Sequence, residues 1–140
     1  MGDIILEKED VFLLNLYEKL NNKFSIIKAK NKYCSVDMLL TNPINLKTLY
    51  IEHKFRNIVD KYDTLFIGKT KVENINLFYK NCIIVWEFSK NKFYYFEAND
   101  SMITTYNSSF VRGSLALEIK KEDCGKTLDS LLNVIIKKLD

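Results

Sequence analysis

The stretch Lys47-Thr48-Leu49-Tyr50-Ile51-Glu52-His53-Lys54-Phe55 alternates in character along its length, the pattern of a half-buried β-strand. Residues two apart on a strand share a face. Leu49, Ile51, His53 and Phe55 therefore form one face, and Tyr50, Glu52 and Lys54 the other. A carboxylate and an ammonium thus project side by side. Asp37, 15 residues before Glu52, falls on a second predicted strand over 33–40. There Cys34, Val36, Met38 and Leu40 share one face; Tyr33, Ser35, Asp37 and Leu39 share the other. The turn between the strands is Thr41-Asn42-Pro43-Ile44-Asn45, around the sole proline. Neighbouring strands lie about 4.8 Å apart, so one register brings Asp37, Glu52 and Lys54 into one small volume.

The rest of the chain frames this pair. Phe12, Leu13, Leu16 and Leu20 make an amphipathic stripe, predicting a helix over 8–21 that Asn21-Asn22 ends. Residues 24–29 read as a strand, with Lys30-Asn31-Lys32 as a hairpin turn. No element is assigned to 57–69. Thr70 and Glu73 form a capping box before the apolar residues Val72, Ile75, Phe78 and Tyr79, predicting a helix over about 70–80. The apolar run Cys82 to Phe88 reads as a strand buried on both faces. Ser89-Lys90-Asn91-Lys92 then turns the chain into the aromatic strand Phe93-Tyr94-Tyr95-Phe96. Residues 101–124 read as irregular apart from a strand near 113–119. Thr127 caps a last helix whose stripe is Leu128, Leu131, Leu132, Ile135 and Leu139. The order α-β-β-β-α-β-β-(β)-α predicts an α/β or α+β sandwich around a mixed sheet, in one domain over 1–140.

Composition narrows the chemistry. With 140 residues, 47% apolar and 28% charged, the chain is expected to fold as one soluble globule. No apolar run approaches the roughly 18 residues of a membrane helix. The acidic N-terminal stretch is unlike a secretory signal, and Leu6 stands where a myristoylation signal wants Ser or Thr. Cys34, Cys82 and Cys124 are odd in number and widely spaced, and His53 is the only histidine. A structural zinc site therefore lacks its ligands. Reduced thiols fit a cytoplasmic or nuclear compartment. Any metal chemistry must rest on carboxylates, which favour Mg²⁺ or Mn²⁺. The net charge of +3 permits a nucleic-acid partner without requiring one. It hides a segregation: Lys47, Lys54, Arg56, Lys61, Lys69 and Lys71 crowd around Glu52, while acids gather at 3–10. The basic residues are 19 Lys and only two Arg, Arg56 and Arg112.

Two carboxylates and a backbone carbonyl, here that of His53, suffice to hold a hard divalent cation. A neighbouring lysine can orient a water or stabilise charge on a phosphate. That combination points to phosphodiester hydrolysis. Gly68-Lys69-Thr70 does not make a phosphate-binding loop, because Asp63 stands where the first glycine belongs.

Asp37…Glu52-His53-Lys54, behind an N-terminal helix and a hairpin, resembles the PD-(D/E)xK nuclease superfamily, with Val36 in place of the proline. Glu52-His53-Lys54-Phe55-Arg56 is similar to the E-x-K-x-R string of small phage and viral nucleases. Tyr62 to Lys71 resembles the segment that opens their next helix, and Lys71 matches a lysine that lies near their active site. The resemblance spans about residues 9–98. It implies a restriction-endonuclease-like mixed sheet flanked by helices. It also implies an Mg²⁺- or Mn²⁺-dependent nuclease acting on DNA, with resolvase-like cutting of branched DNA and a homodimer by analogy. Asp37 and Glu52 would hold the metal with His53, Lys54 would position or activate the water, and Arg56, Lys69 and Lys71 would contact nucleic acid.

The superfamily often adds an acid from the first helix, and the candidates are Glu7, Glu9, Asp10 and Glu18. At 100° per residue Glu9 lies in line with the apolar stripe and Glu18 opposite it, which favours Glu9. An acid near a helix N-terminus is also favoured by the dipole alone. The same charges admit blander readings: a surface ion pair for Glu52 and Lys54, solvated lysines at 69 and 71, and hairpin core for the aromatic strand. A nuclease-like fold without hydrolysis, serving nucleic-acid binding or assembly, is the competing function. A small interaction module is the third.

Overall fold

The stripe of Phe12, Leu16 and Leu20 winds a helix, α1 (Lys8–Lys19), that ends at Asn21 and Asn22 with φ of 53° and 58°. Left-handed asparagines are common helix stops. A computed structural model of the chain describes residues 8–29, 34–56, 62–88 and 92–140, with residues 8–10 by backbone alone. After α1 come β1 (Ser25–Lys28), β2 (Met38–Thr41), β3 (Thr48–Arg56) and β4 (Thr64–Gly68). Next are α2 (Lys69–Phe78), β5 (Cys82–Phe88), β6 (Lys92–Glu97) and the short α3 (Met102–Thr105). β7 (Ser108–Val111), β8 (Ser114–Lys120), a 3₁₀ turn at Lys121–Asp123 and α4 (Leu128–Leu139) complete the order.

The strands form two sheets. The larger runs β1-β2-β3-β5-β6; its pairs are antiparallel except β3 with β5, which are parallel. The smaller runs β4-β8-β7. β5 is covered on both faces, as its apolar run predicts. Ile83 and Val85 join Met38, Leu40, Leu49 and Ile51 beneath α1 and α4. Ile84, Trp86 and Phe88 join Leu65, Ile67, Leu117 and Ile119 of the smaller sheet. Each such large apolar side chain contributes roughly 1.5–3 kcal/mol by burial. Trp86 Nε1 donates to the Phe66 carbonyl at 3.0 Å and ties the two sheets together.

α4 matches its predicted signals. Thr127 Oγ1 accepts from the Ser130 N–H at 3.1 Å, and Leu131, Leu132, Ile135 and Leu139 are buried. Its last turn is closed by the β2–β3 loop: Asn42 and Asn45 amides donate to the Leu139 carbonyl at 2.8 and 3.0 Å.

Several expectations are corrected. The strand expected over 33–40 begins only at Met38. Met38 pairs with Ile51, yet the Asp37 N–H also bonds the Ile51 carbonyl at 2.9 Å. Two residues thus face one, a β-bulge that shifts the alternation by a residue. Val36 accordingly leaves the Met38–Leu40 face and packs with Ile75 and Cys82. Thr70 does not cap α2: the helix follows β4 directly, with Gly68 at its N-cap and no side-chain cap. Of the helix's apolar residues, Val72 and Ile75 are buried and Phe78 is exposed. The segment 101–124 is mostly ordered. Within it, β7 and β8 are joined by a two-residue turn, Arg112-Gly113, with φ of 52° and 82°. The turns expected at 30–32 and 89–91 lie outside the described residues.

Candidate active site

The bulge at Asp37 and the face of β3 build the site. Asp37 leads into β2 and turns its carboxylate to the neighbouring strand, where Oδ2 accepts the His53 main-chain N–H at 2.7 Å. Glu52, on the adjoining position of β3, is only 3% exposed. Lys71, from the first turn of α2, brings its Nζ to 2.9 Å from Glu52 Oε2. The contact is an ion pair, and Lys71 is the only cation that meets the enclosed Oε2 among the described residues. Burial, and then the hydrogen bond and repulsion from the Asp37 carboxylate, push the Glu52 carboxyl up to about 8, against a smaller opposing pull from Lys71. Lys54, two residues on, is half-buried on the same face. Burial and then the Lys71 charge bring its ammonium down to about 8, and the carboxylates hold it from falling further.

Asp37, Glu52, Lys54 and Lys71 are thus brought together. His53 is not with them by its side chain. Its ring stacks on Phe12 at 4.4 Å between centroids and meets Glu87 Oε1 through Nε2 at 2.9 Å, on the opposite face. Only its main chain reaches the site. Arg56 ends β3 and is exposed. Lys69 opens α2, and no ion pair among the described residues joins it to the carboxylates. The Glu9 side chain lies outside the described residues. Among the described residues no three His, Cys, Asp or Glu side chains form a cluster suited to a metal.

The chemistry such a site allows follows from its charges. Two neighbouring carboxylates, one of them enclosed, repel each other unless a proton or a cation lies between them. An amine beside them with a depressed pKa can exchange a proton near neutral pH.

Comparison with solved structures identifies the architecture. The chain superposes on the Holliday junction resolvase Hjc of Archaeoglobus fulgidus with a TM-score of 0.56 and 16% identity, over 91% of this chain and 97% of that one. The fold is that of the PD-(D/E)xK nucleases. The bacterial homing endonuclease I-Ssp6803I matches with a TM-score of 0.51 and 12% identity, over 99% of this chain and 95% of that one. No protein-family model and no curated sequence matches the chain. The restriction-endonuclease-like mixed sheet read from the sequence is therefore the fold observed. No helix among the described residues is long and apolar enough to cross a membrane.

Proposed function

We propose that this protein is a divalent-metal-dependent endonuclease acting on DNA, branched DNA included. The observation that carries this reading is the enclosed Glu52 carboxylate, 3% exposed, beside the Asp37 carboxylate, with Lys71 as its counter-charge. That pair fits a hard cation held through oxygen. A strand residue turns its N–H and C=O to the same edge, so the His53 carbonyl accompanies the amide that meets Asp37 and can add a third oxygen. Glu9 is the proposed fourth donor, from α1.

When bound, Mg²⁺ or Mn²⁺ would polarise a phosphoryl oxygen and acidify a water. The chain's own residues do the rest. Lys54 orients the attacking water and exchanges its proton, which its depressed pKa favours. Lys71 holds Glu52 in place and adds positive charge beside the phosphate. Arg56 and Lys69 contact the flanking backbone. A second copy of the chain would supply the second cut in a duplex. Reduced thiols at all three cysteines accord with work in the cytoplasm or nucleus.

The test is incubation with duplex, four-way-junction and single-stranded DNA and with RNA, in Mg²⁺, Mn²⁺ or EDTA. Metal-dependent cleavage that disappears in Asp37→Asn, Glu52→Gln and Lys54→Ala is expected. Cleavage that survives in the carboxylate variants sinks the assigned site. Binding without cleavage in any metal favours a catalytically silent nuclease fold.

A further inference from the structure

The β7–β8 hairpin plays no part in the site just described, yet its register directs its turn toward the start of α2, the helix that carries Lys71. β4 pairs with β8 so that Gly68 faces Ala116. β8 then leads back through Leu115 and Ser114 to the Arg112-Gly113 turn, which lies past the end of β4 and on the side where α2 begins. The hairpin also leaves the core as it runs: Ala116 is 6% exposed, whereas Leu115 and its cross-strand partner Phe110 are 36% and 76% exposed. Arg112 occupies a left-handed position, where two-residue turns ordinarily place Asn, Asp or Gly. Such backbone strain concentrates at functional sites. The chain uses arginine only twice, and the two are within electrostatic reach of each other. After burial, repulsion from Arg112 is the next cause lowering the Arg56 guanidinium from its ordinary value. Among the described residues no carboxylate is ion-paired with either.

We infer that the β7–β8 hairpin is a nucleic-acid grip: Arg112 and Arg56 share one backbone phosphate flanking the scissile one, and Phe110 stacks on an unpaired base. Guanidinium forks match phosphate geometry better than ammonium groups do, which explains arginine in a lysine-rich chain. An exposed aromatic beside a basic pair is the composition of a single-strand stacking platform.

This inference rests on the nucleic-acid reading of the Asp37–Glu52 site, and the experiment separates the two. Binding of labelled duplex, four-way junction and single-stranded DNA is measured by anisotropy in EDTA across a salt series. Arg112→Asn suits the left-handed turn, so its melting temperature should not fall. It should weaken binding to all three roughly tenfold and reduce the magnitude of the log-log salt slope by about 1. Phe110→Ala should weaken single-strand binding about tenfold and leave the duplex unchanged. Wild-type affinity in either variant, with binding by the parent intact, overturns the grip alone. A parent protein that binds none of these nucleic acids overturns the nuclease reading as well.

Discussion

Asp37 Oδ2 accepts the His53 N–H at 2.7 Å, so a carboxylate fills the ladder position that its own bulge left open. Asparagine can keep that bond through its side-chain oxygen; alanine cannot. Asp37→Asn should therefore fold with near-parental stability, while Asp37→Ala leaves a buried N–H unmet at a cost of about 1–3 kcal/mol. Both should lose metal-dependent cleavage. Thermal melts of the two variants, compared at one pH, check the difference. Equal melting temperatures would argue against the bond.

Glu52 makes metal-free stability depend on pH. Its folded pKa of about 8 lies above the ordinary 4.5. The fold therefore favours the protonated form; that contribution is complete below 4.5 and is lost as pH rises through 8. Glu52→Gln mimics the protonated form permanently. In EDTA the variant should match the parent near pH 4.5 and exceed it at pH 9, by on the order of a few kcal/mol. Adding Mn²⁺ should raise the parent's melting temperature and leave the variant's unchanged.

Lys71 gains importance as Glu52 ionises. Lys71→Met should cost little near pH 6, where Glu52 is largely protonated. At pH 9 it strands a buried carboxylate and should cost about 1–2 kcal/mol, less than a fully buried pair because Lys71 is itself 35% exposed. Denaturant melts at the two pH values check this. A pH-independent cost would mean that Lys71 acts by packing alone.

His53 separates stability from chemistry. Its ring is held by Phe12 and Glu87 on the face away from Lys71 and Lys54. His53→Ala should destabilise by about 2–3 kcal/mol through the lost packing and an unpaired Glu87. The cleavage rate, measured below the melting temperature, should stay within about threefold, since the ring takes no part in proton transfer. A hundredfold loss in a folded variant would make the ring catalytic after all.

The site was legible where side chains obey the period of their strand. Leu49, Ile51 and His53 face α1, while Tyr50 and Glu52 face α2, in the alternation the sequence shows. Asp37 was legible by type and distance but not by geometry. A bulge displaces Val36 without altering the pattern of apolar residues, and only the bond to Ile51 reveals it. Of the smaller sheet only its central strand was read, as the strand near 113–119 that is β8; β4 was missed because it is five residues long and pairs with a strand far along the chain. The pairing of β7 with β8 was hidden because their turn, Arg112-Gly113, has arginine where Asn or Asp would have announced a hairpin. Thr70 misled because its capping box is sound chemistry placed two residues too late. β4 passes straight into α2, so no loop residue is available to cap it.

The closure of α4 by Asn42 and Asn45 has a consequence for synthesis. The face of the larger sheet that α4 covers stays open until Leu139 has left the ribosome, although the strands beneath it emerged long before. Folding of this layer therefore waits for α4, with a sheet of Met, Leu, Ile and Val uncovered until its lid is made.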